Sequence, residues 1–181
     1  FIGLNAGTIN TISKDNIVIG SDAGSSLIGS AGVGKNILIG SQTGQDLTTG
    51  TNNIFMGSNA SVNAVESINS VVIGSNAMEN GDADGVIIIG NNAGRNNIAD
   101  GNIFIGSNSG NTNTTGVNNV CMGINAGYSN INGNTNIFIG SNAGQGNKDF
   151  DQTIPARIML FNDINSEMDR RTAATVPVEV P

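Results

Sequence analysis

The chain has 181 residues, a net charge of −7 and only 12 % charged residues, against about 25 % in ordinary soluble domains. That acidic balance, with no basic patch, makes nucleic acid and anionic membrane poor partners. The one cysteine excludes an intrachain disulfide, and the apolar runs are too short for a membrane-spanning helix.

The chain opens on Phe1-Ile2-Gly3, with no initiator Met, and those residues are the middle of a phrase that recurs along it. The sequence is therefore expected to be a piece of a longer protein. With the glycine of the phrase as marker, copies fall at Gly3, Gly20, Gly40, Gly57, Gly74, Gly90, Gly106, Gly123 and Gly140. The spacings are 17, 20, 17, 17, 16, 16, 17 and 17, and the spacing of 20 predicts a small insertion within Ser25–Gly34. A repeat this regular decides the architecture before any single element does.

Each copy reads as a strand followed by a turn. The residue before the marker is Ile or Met, and the residue two before that is Ile or Val. Positions two apart on a strand share a face, so these two columns are expected to fill the interior. After the glycine come a small polar residue, then Asn or a relative (Asn5, Asp22, Gln42, Asn59), a small residue and usually Gly. Asn and Gly tolerate left-handed backbone, which predicts a turn. The rest of each copy is variable, with a weaker apolar position at Ile28, Val65, Ile98 and Ile131.

A period of 16 to 17 is too short for a helix pair, and its Gly and Asn content disfavours helix. The fold class expected is all-β, a parallel β-solenoid of about nine coils over residues 1–144. Stacked at about 4.8 Å, these make a rod roughly 40 Å long. Two readings stay open for the Asn that starts the phrase (Asn16, Asn36, Asn53, Asn102, Asn119, Asn136): a ladder down the stack, or service to each Asn's own turn.

Between the two Ile columns lies a third, Phe1, Val18, Leu38, Phe55, Val72, Ile88, Phe104, Cys121 and Phe138. By alternation it is expected to face outward as an apolar stripe of about 400 Å². Strands apolar on both faces are usually covered on both, so this column is expected to be the interface of a self-associating bundle. Cys121 needs no role there beyond that of a small buried hydrophobe.

Residues 145–181 carry all three prolines and form a second segment, a cap or neck with an extended linker. Within it "ARIMLF" (156–161) predicts one more strand that caps the roll. "NDINSEMDRR" (162–171) predicts a short helix, and "TVPVEVP" an extended end.

"NSVVIGSNA" (69–77) and "NIFIGSNAG" (136–144) resemble the head repeats of trimeric autotransporter adhesins and the Asn- and Gly-rich repeats of bacteriophage tail fibres. The resemblance covers about residues 1–144 and departs from the adhesin heads in its slightly longer period. It implies a left-handed β-roll, a homotrimer, a place on a virion or cell surface, and a host receptor or glycan as partner. The phage fibre is the closer match; the head of a bacterial surface adhesin is the alternative.

No enzyme and no cofactor are expected. "IGSNAG" is similar to the hexapeptide pattern of β-helix acyltransferases, but that unit occurs once per coil here and the chain has no His. A glycan-cleaving tailspike needs paired carboxylates, and the acids here are scattered through variable turns. Asp82 and Asp84 in "NGDADG" are the one candidate pair for Ca²⁺, without a full ligand set.

Overall fold

The computed structural model describes residues 1–10, 13–28, 34–146 and 158–160. The strands are β1 (Ile17–Ile19), β2 (Ile37–Ile39), β3 (Ile54–Met56), β4 (Val71–Ile73), β5 (Ile87–Ile89), β6 (Ile103–Ile105), β7 (Val120–Met122), β8 (Ile137–Ile139) and β9 (Ile158–Leu160). They form one parallel sheet in sequence order, the arrangement of a β-solenoid. Each residue pairs with its column mate, as in Ile54 with Val71, Phe55 with Val72 and Met56 with Ile73. The strand expected within 156–161 is β9, parallel to β8. The helix expected at 162–171 and the extended end lie outside the described residues.

The marker glycine ends each strand because no other residue fits. At Gly106 φ is +128°, and a Cβ would come 2.5 Å from the carbonyl oxygen of Gly123 in the next coil. Two successive turns follow. Ala60 N–H donates to Gly57 O at 3.3 Å, with Asn59 at φ +58° as the left-handed residue, the pattern of a type II turn. Ala64 N–H then donates to Ser61 O at 3.1 Å. Backbone bonds continue the stack through the turns, as in Asn59 N–H to Ser41 O at 3.0 Å. Around the insertion, Ser26 and Leu27 keep their regular bonds to Gln45 O and Gly24 O, so the extra residues fall beyond Ile28.

The core corrects the expected orientation of the strand. Val18, Leu38, Phe55, Val72, Ile88, Phe104, Cys121 and Phe138 are buried inside the coil at 0 to 1 % exposure. Phe1 points the same way, its ring against Gly7, and is 62 % exposed. The middle column is therefore the core and not an oligomer interface. The flanking Ile and Val columns face outward. The physical reason is space, since each coil holds one large strand side chain against a close opposite wall. Phe104 meets Gly110 and Phe138 meets Gly144 across the core. Where the strand offers only Val72, the wall supplies buried Met78 instead.

The Asn that starts the phrase also lies inside, sharing the core face with the middle residue two positions on. Asn119 Nδ2 donates to Gly133 O at 2.7 Å, and its Oδ1 accepts the Asn136 N–H at 2.9 Å. Asn102 repeats this with Gly116 O and the Asn119 N–H. The Asn thus serves its own coil and the ladder together. The ladder breaks at Ser70, whose hydroxyl takes Ala83 O at 3.0 Å, and at buried Val86.

Candidate functional surface

The orientation of the strands puts two apolar columns on the outside. Ile17, Ile19, Met56, Ile87, Met122 and Ile139 are 37 to 51 % exposed. Their column mates Ile37, Ile39, Val71, Ile73, Ile103 and Ile105 are half-buried. Because the strands are in register, these side chains form two unbroken rows along the rod.

A second apolar ladder runs along the rod elsewhere. Ile28, Val65, Ile98 and Ile131 are exposed; Thr48 and Thr114 share their column, and Asp82 interrupts it between Val65 and Ile98. Backbone bonds set that register: Ile28 N–H to Thr48 O, Thr48 N–H to Val65 O and Thr114 N–H to Ile131 O. Ile131 comes nine residues after Met122 and eight before Ile139. The ladder therefore lies about half a coil from the strand face in either direction.

The carboxylates serve the backbone. Asp82 accepts the Ser67 hydroxyl at 2.7 Å and the Glu66 N–H at 3.3 Å. Asp84 Oδ1 accepts the Ile68 N–H at 2.8 Å, and Asp100 Oδ1 the Asp84 N–H at 2.9 Å. With Thr49, Glu66 and Ala83 they line a shallow acidic groove. Asp82 and Asp84 act there as hydrogen-bond brackets between coils. Among the described residues no three His, Cys, Asp or Glu side chains converge as a metal ion requires. Arg95 Nε pairs with Glu79 Oε2 at 2.6 Å at the surface. Cys121 is sealed in the core, and burial pushes its thiol up to about 12, which keeps it protonated.

The sequence reading missed this surface because it took the near-invariant Ile for core. A signal was present in one copy: six residues after the middle residue stands Gly or Ser throughout, except that Met78 stands there after Val72. Side chains that trade volume share one interior. A comparison of the chain with protein-family models, with curated proteins and with solved structures returns no match.

Proposed function

We propose that this chain is a structural, adhesive fibre module, a homotrimeric shaft or head of a phage tail-fibre-like virion that reaches a host surface. The observation that carries the reading is the presence of exposed apolar residues on two separate faces of one rod, the strand face and the column of Ile28, Val65, Ile98 and Ile131. The strand face covers roughly 40 Å by 10 Å, about 400 Å² per chain, and the second ladder, interrupted by Asp82, adds a smaller area toward the roughly 800 Å² per partner that stable interfaces bury. A partner that matches a row of side chains at the coil spacing along its whole length is a second copy of the same solenoid. One apolar face would give a two-fold dimer; two different faces give a head-to-tail ring. Three is the smallest ring of that kind.

The motif resemblance supports a virion or cell-surface setting, and the core and turns, built from hydrogen bonds and packing, support a mechanical role over catalysis. A bacterial adhesin head uses the same surface in the same way; flanking sequence that encodes a membrane β-barrel would favour it over a virion-attachment domain.

Sedimentation or light scattering of the chain tests the proposal. The expected species has three times the chain mass of 18.4 kDa. A folded, soluble monomer at micromolar concentration would sink it. Ile103→Asp with Ile137→Asp should dissociate the trimer while leaving the coil folded, because both side chains point away from the core. A trimer that survived both changes would exclude the strand face as the contact.

A further inference from the structure

Asn and Asp close into a succinimide most readily before glycine, and four such dipeptides occur in this chain: Asn80-Gly81, Asn132-Gly133, Asp84-Gly85 and Asp100-Gly101. In each, the glycine lacks the side chain that would hinder attack of its own nitrogen on the preceding carboxamide or carboxyl carbon. The fold treats the four differently. The Gly81 N–H donates to Met78 O at 3.1 Å, the Gly85 N–H to Ile68 O at 2.9 Å and the Gly101 N–H to Asp84 O at 3.1 Å. The side chains before them are held too. Asn80 donates to Asn96 at 2.9 Å and accepts from Asn63 at 3.2 Å. Asp84 and Asp100 each accept a backbone N–H.

Asn132-Gly133 is the exception. Asn132 is exposed. Among the described residues, neither its carboxamide nor the Gly133 N–H has a hydrogen-bond partner. Gly50 and Gly116 occupy the same place in their coils, with the following coil described, and their N–H groups likewise donate to nothing among the described residues. The free N–H therefore belongs to this position of the repeat. Only in the coil of Gly133 does an asparagine stand before it; Thr49 and Thr115 do so in the others.

We infer that Asn132 is a site of spontaneous covalent modification, with Asn80 protected by the fold. The Gly133 nitrogen gives up its proton to water and attacks Asn132 Cγ. The N–Cγ bond forms, the Cγ–Nδ2 bond breaks, and Nδ2 leaves as ammonia with the proton it gains. Water then opens the five-membered ring at either carbonyl, giving aspartate or isoaspartate with no change of oxidation state. The reaction needs only water and is independent of the proposed assembly. It adds one negative charge beside Ile131. The isoaspartate also adds one carbon to the main chain between Asn130 and Asn136, both of which are buried in the asparagine ladders.

The folded chain held at mildly alkaline pH, followed by peptide mapping with mass spectrometry and an isoaspartate assay, tests this. The same measurement on the urea-unfolded chain gives the intrinsic rates of the two Asn-Gly pairs. Relative to that intrinsic ratio, Asn132 is expected to convert about tenfold or more faster than Asn80 in the folded chain, the factor that one or two hydrogen bonds represent. Amide exchange in the native state should rank the same way, with Gly133 faster than Gly81. A folded-state ratio equal to the unfolded one, or Asn80 converting first, would overturn the inference.

Discussion

Gly106 is a residue whose missing side chain decides a structure. A Cβ there would sit 2.5 Å from the Gly123 carbonyl oxygen, at φ +128°. Both the clash and the backbone angle oppose it, so Gly106→Ala should cost at least about 2 kcal/mol. Gly85 has φ +62° but nothing within 4 Å, so Gly85→Ala should cost only about 1 kcal/mol. Urea titration of both variants checks the order, and equal losses would mean that the stack relaxes around the new methyl group. Asn119→Ala strips the Asn119 partner from the Asn136 N–H and one of two donors from Gly133 O, which keeps Asn130 Nδ2 at 3.0 Å, and should cost about 1 to 3 kcal/mol. At Cys121 the thiol is raised from 9.0 to about 12 by burial. A folded-state value above the unfolded one contributes stability that is fully present below pH 9 and lost as pH rises from about 9 to about 12. Cys121→Val should flatten that part of the pH–stability curve, and alkylation of the thiol should require unfolding.

At the scale of one coil, the strand and the wall opposite are a matched pair. Val72 and Met78 are both fully buried, whereas Phe104 packs against Gly110. Phe104→Ala should therefore leave a cavity and cost about 3 to 5 kcal/mol. The pairing also predicts a rescue. Val72→Phe alone crowds Met78 and Met78→Gly alone leaves a void, so each should destabilise. Together they restore the large–small match, and Met78 already has φ +47°, which glycine adopts freely. A coupling energy of about 1 kcal/mol or more in the double-mutant cycle is expected. Simple additivity would mean that the two side chains do not share one space.

For the whole rod, the unfolding midpoint should report on assembly. If copies pack through the two apolar ladders, association stabilises the folded state by mass action. The midpoint then rises with protein concentration, and Ile103→Asp with Ile137→Asp should abolish that dependence. Inside each chain the stack consists of nearest-neighbour contacts, because every strand pairs only with the coils before and after it. A break in one coil, such as Gly106→Ala, should therefore loosen that region first in hydrogen exchange.

The sequence by itself determined the period, the strand that ends at each marker glycine, the turn around Asn59 and its equivalents, and the asparagine column. Each of these depends on local chemistry: left-handed backbone angles that Gly and Asn favour, apolar residues in threes, and a repeat that sets register. The direction of the strand was not local. Ile-Phe-Ile is apolar at three consecutive positions, so alternation permits either the outer pair or the middle residue to face inward. Only coil closure decides between them. It brings Gly110 and Gly94 against Phe104, so the middle residue fills the space inside the strand, and it turns Ile103 and Ile105 outward to form the surface on which the proposed function rests.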